Sequence, residues 1–291
     1  MTFAQKLKSI RKQADLSQEK LAEKLGVSRQ AITKWETDAG IPDIGNIKAI
    51  CALFGISMDD LFSDESTAIN NTDYIYESVT EYDIDGIKRF DIKLGCANTV
   101  IVEGADSEKL RVRLASNTLA TLQSDLKVKI DDIKNRIDVD ISRKNTLTQA
   151  VTKQSLVVFI HIPTKYIGKI ELTLNCEKLE LHSLESDSIE LDVKTKSLML
   201  NEVKGNVEID CNLDMDIVCE TLCGEIAINQ ISACSKIRVP KDTSFTAIAK
   251  GIATSISYEK DGKPTPPFAA DEADNMIELN GIKSELVIYS E

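Results

Sequence analysis

The sequence predicts an α + β multidomain chain: a five-helix head followed by an all-β, solenoid-like domain in the form of a rolled sheet. Three observations predict it. Residues 3–62 carry apolar side chains at helical spacing, with Ser and Gly where helices would start and stop. From about residue 75 this gives way to alternating apolar and polar residues, the two-residue period of strands. Between the two textures, SDESTAINNTDY (63–74) is polar, has no apolar period and reads as a linker. The expected division is a head over 1–63, a linker over 64–85 and a β domain over 86–291.

Helices are expected at 3–13, 17–25, 28–36, 43–54 and 57–63. Ser17 stands at an N-cap, with Leu21, Ala22 and Leu25 on one face of the helix behind it. Gly26-Val27-Ser28 breaks that helix: Gly suits the left-handed C′ position and Ser28 can cap the next one. Gly55 and Ser57 supply the last stop and start. In the third helix Ala31, Ile32 and Trp35 fall at core spacing, so Arg29, Gln30, Thr33 and Lys34 point outward. That set of donors and acceptors suits base edges in a major groove: Arg29 and Lys34 for guanine O6/N7, Gln30 for adenine N6/N7. Gln18 and Ser28 open helices, where phosphate oxygens are commonly held.

LSQEKLAEKLGVSRQAITKWE (16–36), the following IPDIGNIKAICALFGIS and the closing MDDLF resemble the Xre/phage-repressor-like helix-turn-helix family over residues 3–62. The resemblance implies a lambda-repressor-like fold and a double-stranded DNA partner, with base readers at Arg29, Gln30, Thr33 and Lys34. It also implies that Arg11 contacts phosphate and pairs with Glu36. As an exposed ion pair that contact would stabilise by under about 1 kcal/mol. Family members that cleave themselves need an Ala-Gly bond in the hinge. The one Ala-Gly pair in this chain, Ala39-Gly40, lies inside the head. The loop 37–43 departs from relatives that hold phosphate with a base there, since it has two acids and none.

The net charge of −12 looks wrong for a DNA-binding chain until it is divided. Residues 1–63 hold nine basic against eight acidic residues, so the acidity, −13, belongs to 64–291. A nearly neutral head binds DNA weakly alone, and a homodimer with two heads on adjacent half-sites is the expected remedy. Hydrophobic and charged shares of 42% and 28% are those of ordinary globular proteins. The longest apolar run, LVVFIHIP (156–163), is too short for a bilayer, and MTFAQKLKSIRKQ has no apolar signal core. The expectation is a cytoplasmic protein with no membrane partner, whose seven cysteines are reduced core side chains.

Strand signals run through FDIKL (90–94), TVIVEG (99–104), KLRVRL (109–114), DLKVKI (125–130) and NRIDVDI (135–141). A repeat follows, with segments starting at Ile170, Ile189, Val207 and Ile226, separations of 19, 18 and 19. KLELHS (178–183), SLMLNEV (197–203) and MDIVCE (215–220) lie between them. Steady coils with one apolar face suit a β-solenoid; an antiparallel meander or sandwich fits the alternation too. IKRFDIKLGCANTVIVEGADSEKLRVRL, LVVFIHIP and turns such as EVKGNVEID and TLCGEIAIN resemble the bacterial adhesin-like β domain called DUF4097, over roughly 86–290. An acidic stripe including Glu171, Glu180, Glu190 and Glu208 reads as a solvated face.

Catalysis is not expected. His161 and His182 fall on the polar phase of strands without a neighbouring base–orienter pair, and no phosphate loop occurs. Cys219 and Cys223 lack zinc-site spacing, so no metal or cofactor is expected. Two functions remain: a DNA-binding regulator, most simply a repressor, whose β domain oligomerises or senses an effector or protein, and a scaffold whose β domain is the working surface and whose head tethers it to DNA.

Overall fold

In the computed structural model, which describes residues 3–13, 16–37, 40–54 and 74–290, Ser17 and Ser28 each begin a helix through the side-chain hydroxyl. Ser17 accepts from the Lys20 N–H and Ser28 from the Ala31 N–H, relieving donors that a helix start leaves unpaired. Gly26 closes the first of these helices at φ +67°, where a side chain would be strained. The four described helices of the head are α1 (Phe3–Gln13), α2 (Gln18–Leu25), α3 (Arg29–Trp35) and α4 (Ile44–Phe54). Leu7, Leu21, Ala22, Ile32, Trp35, Ile47 and Ile50 are buried together as their core. The expected fifth helix, 57–63, and residues 64–73 of the expected linker lie outside the described residues.

Contacts divide the chain into two units, Met1–Asp73 and Tyr74–Glu291. The second is all-β apart from short helical segments. Its first part holds β1 (Tyr76–Asp83), β2 (Lys88–Ala105), β3 (Lys109–Ser116), β4 (Leu126–Ile133), β5 (Arg136–Arg143) and β6 (Val157–Pro163). Two short helices, α5 (Leu122–Asp125) and α6 (Gln149–Ser155), interrupt them. Here β1–β3, β3–β6 and β4–β5 are antiparallel, whereas β2 runs parallel to β5 and β6. Strand β1 lies inside the 64–85 span expected as linker; its alternating YESVTEYD pairs along all of β3. FDIKL and TVIVEG, expected as separate strands, are two halves of β2, with a register slip between Leu94 and Ala97.

The repeats follow as β7 (Ile167–His182), β8 (Glu185–Lys194), β9 (Ser197–Asn201), β10 (Lys204–Asp210), β11 (Asp216–Cys219), β12 (Cys223–Ile231) and β13 (Cys234–Arg238). They pair in parallel, not as an antiparallel meander. Ile170, Ile189, Val207 and Ile226 stand in one cross-strand row, and Leu179, Leu198, Ile217 and Ile237 in another. All eight are buried, so the sequence period is the period of the ladder. Gly205 and Gly224 sit at φ +112° and +115° where adjacent coils touch. A Cβ on Gly205 would lie 1.8 Å from the Ser186 carbonyl oxygen, which no rotamer relieves.

The last strands are β14 (Thr246–Ile252), β15 (Ser255–Lys260), β16 (Lys263–Pro264), β17 (Met276–Ile282) and β18 (Glu285–Ser290). Their stacking departs from chain order. β17 pairs with both β12 and β14, and β18 with both β13 and β15, so the final coil is inserted beneath the one that precedes it. Residues 257–260 of the proline-containing stretch SYEKDGKPTPPFAADEADN (257–275) belong to β15. Phe268 of the remainder packs edge-to-face on Phe245 and Tyr258, with ring centroids 6.0 and 5.1 Å away.

Candidate nucleic-acid interface

Helix α3 presents Arg29, Gln30, Thr33 and Lys34 as exposed residues, while Ile32 and Trp35 on its other side are buried. This is the division expected from the spacing. The face is open, and its one described ionic neighbour is distant: Arg29 Nη1 lies 3.9 Å from Glu19 Oε2, with both side chains largely solvated. Such a pair contributes little and leaves the guanidinium free to exchange partners.

Behind this face lies a buried polar brace. Arg11 Nε donates to Glu36 Oε1 at 2.6 Å and Nη2 to Oε2 at 2.9 Å, while Nη1 donates to the Leu16 carbonyl at 2.7 Å. Gln18 Nε2 donates to Glu36 Oε2 at 2.8 Å, and Thr33 Oγ1 donates to Gln18 Oε1 at 3.2 Å. The network thus runs from α1 through the start of α2 to both the middle and the end of α3. Burial pushes the Glu36 carboxyl up, but the hydrogen bonds from Arg11 and Gln18 outweigh it and hold Glu36 below the usual carboxylate range. The same hydrogen bond raises Arg11.

This geometry gives three of the expected site residues partners within the head. The Arg11–Glu36 pair is buried rather than exposed, with 10% and 1% of the two side chains accessible. Arg11 therefore points inward to Glu36 and the Leu16 carbonyl. Gln18 and Thr33 face one another across α2 and α3, and the Thr33 hydroxyl also lies 3.1 Å from the Arg29 carbonyl oxygen. The bonds through Gln18 were not legible in the spacing, since they join residues 15 and 18 positions apart. Ser28 is exposed, its hydroxyl occupied by the cap. In the loop after α3, Asp43 is occupied too: it accepts from the Asn46 N–H at 2.8 Å and caps α4. Asp38 and Ala39 of that loop lie outside the described residues.

The helix-turn-helix family matches residues 7–61. Residues 7–61 are a helix-turn-helix domain. Over 65 residues the chain is 45% identical to the HTH-type transcriptional activator BcrR of Enterococcus faecalis, covering 22% of this chain and 32% of that protein. Over 84 residues it is 34% identical to the immunity repressor protein of Bacillus phage phi105, covering 29% and 58%. The chain thus spans a third to somewhat over half of these relatives' own length. The β unit is similar to the solved structure of a provisionally named cell adhesion protein from Clostridium sporogenes, at 11% identity and a TM-score of 0.38. That match covers 74% of this chain and all of the other, and at this level it carries no functional information.

The outward side of α3 gathers Arg29, Gln30, Thr33 and Lys34 on an open face. In the β unit both histidines are buried rather than on surface positions, at 8% and 7% exposure. His182 Nε2 lies 3.0 Å from Glu180 Oε2 and its Nδ1 3.3 Å from Asn201 Nδ2. Glu180, expected in the solvated stripe, is held at about 2 by the hydrogen bond from His182 and by Lys178, against burial. The stripe is therefore partly a set of internal ion pairs, with Glu171 likewise held by Arg89 and Lys169. Among the described residues no group of three or more His, Cys, Asp or Glu is placed to hold a metal, and no helix is long and apolar enough to cross a membrane.

Proposed function

We propose that this chain is a sequence-specific DNA-binding transcriptional regulator. In this reading α3 lies in the major groove with Arg29 and Gln30 against base edges, Lys34 beside them, and Thr33 and Gln18 setting the helix angle. Ser28 and the free backbone N–H groups at the start of α3 meet phosphate. The observation that carries the reading is the exposed face of Arg29, Gln30, Thr33 and Lys34 on a helix braced from behind by Arg11, Glu36 and Gln18. The matched relatives, an activator and a repressor, support transcriptional control without choosing its sign. We take repression as the output, because a bound dimer needs only to cover a promoter, and a promoter–reporter assay reads it directly.

The β unit is assigned to oligomerisation or to sensing a signal. The two parallel ladders with coils 18 or 19 residues apart support a rolled, solenoid-like body. Such a body presents long lateral faces suited to contact with other molecules. A regulator of this kind works in the cytoplasm, where the DNA is.

Binding of the purified chain to its own upstream DNA, compared with random duplex of equal length, tests the proposal. A preference above about a thousandfold is expected of a specific regulator. Equal binding would instead favour a scaffold held to DNA by its head.

A further inference from the structure

We propose that the open edge of β14 pairs with the same strand of a second copy of this chain, antiparallel and centred on Ala249. It rests on the regulator reading only for its purpose, which is to bring two helix-turn-helix domains together. The pairing itself stands on the edge.

All seven residues of β14 pair with β17, and no strand pairs with its other side among the described residues. In a parallel ladder the residues of a strand alternate in the side to which their N–H and C=O point. The Thr246 N–H donates to Asn275 and the Ile252 carbonyl accepts from Lys283, both on the β17 side. The even-numbered residues are therefore spent on β17, and Ala247 and Ala249 direct their backbone groups to the open edge. The insert that seals the interior beside this strand does not cover it: Thr265 and Ala270 bond to Tyr258 and Phe245 instead.

Natural sheets guard such an edge with charge, proline or a covering loop. β14 has no proline and one charge, Lys250, whose Nζ donates to Glu278 Oε2 at 2.5 Å. The edge is left electrically neutral in a chain of net charge −12. Two of its outward side chains are large and apolar: Ile248 is 40% exposed and Ile252 72%. Ile252 continues a cross-strand row with Ile282 and Ile231, themselves 46% and 54% exposed. A ridge of isoleucines thus leads to the free backbone.

The occupant follows from charge and symmetry. Two copies of an acidic body repel over most of their surface and meet at least cost where the surface is neutral. Antiparallel pairing about Ala249 sets Lys250 against Ile248, Gly251 against Ala247 and Ile252 against Thr246, so no charge faces its own copy. The twofold arrangement is the usual one for a self-complementary edge.

Sedimentation equilibrium of the full chain without DNA is the test. The wild type is expected to form dimers, with amide exchange at Ala247 and Ala249 slowing as concentration rises. Ala249→Pro removes an N–H that the monomer does not use, and should weaken the dimer about thirtyfold through the two symmetry-related bonds. Ile252→Lys, a change at a solvent-exposed site, should weaken it as well and guards against a folding defect in the first variant. A wild type that stays monomeric would overturn the proposal, as would dimers insensitive to both variants. A monomer that captures a foreign extended peptide along β14 would overturn the choice of a second copy. Because no DNA enters the readout, failure here leaves the helix-turn-helix reading untouched, and failure of operator binding leaves this pairing untouched.

Discussion

The head and the β unit spend polar side chains in opposite ways. In the head buried Arg11 and Glu36 join half-buried Gln18 in one network, and the outward face of α3 is left free of strong partners. In the β unit the polar groups lie between neighbouring strands as short-range ion pairs such as Arg238–Glu220, Lys169–Glu190 and Arg89–Glu171. Its stability comes instead from one continuous apolar interior. The lesson is that the head joins its helices through one buried network behind an open face, whereas the β unit distributes its charge as pairs across neighbouring strands.

The most severe way to break that contrast is to remove one partner of the brace. Glu36→Ala leaves Arg11 buried without its counter-charge and should destabilise the head by about 3–5 kcal/mol. Trp35 fluorescence should then show early unfolding while the far-UV signal of the strands persists. Coincident loss of both signals would mean that the two units do not unfold separately. The matching change in the β unit is Ile228→Ala, at a fully buried position. It should cost about 2–5 kcal/mol as a cavity and shift the strand transition without moving that of Trp35.

Smaller effects sharpen the picture at the interface. Arg29→Ala should leave the stability of the head within about 0.5 kcal/mol, because its side chain is solvated. It should nonetheless lose about 1–3 kcal/mol of discrimination at one base position, read by binding to single-base variants of the operator. Uniform weakening on every sequence would place Arg29 on phosphate instead.

Acid separates the regions more gently. Glu36 and Glu180 both titrate below the ordinary carboxylate value of 4.5 in the folded chain, Glu180 at about 2. Groups depressed in this way contribute stability that is complete above 4.5 and is lost as pH falls toward their folded values. Urea midpoints followed by Trp35 and by far-UV circular dichroism should therefore both decline between pH 5 and 2 (about half-unit steps suffice). Glu180→Gln should flatten only the second. The least perturbing probe is thiol labelling of the native chain. Cys223 and Cys234 are exposed, while burial pushes Cys176 to about 11 and Cys219 to about 12. Cys223 should react first. Cys234 should lag, because burial and the nearby Glu285 and Asp214 raise it. The five buried thiols should react only on unfolding.

The four described helices of the head were legible within a residue or so at each end because their signals are local. A cap hydroxyl, a left-handed glycine and apolar residues three or four apart act within a single turn. The exposed side of α3 could be read for the same reason. The parallel row of Ile170, Ile189, Val207 and Ile226 was legible as a period, since each coil repeats one apolar pattern. The Arg11–Glu36 pair was legible through the family resemblance, but its burial, the bonds through Gln18 and the burial of both histidines were not, for each joins or covers residues far apart in the chain. Nor was the insertion of β17 and β18 between earlier coils. Any strand with the right alternation can add to a parallel ladder, and composition favours no neighbour over another. Residue order along this chain decides which segments are helix and strand and which faces are apolar. Which coil lies against which, and which charges end up inside, depends on long-range packing that only the assembled fold can choose.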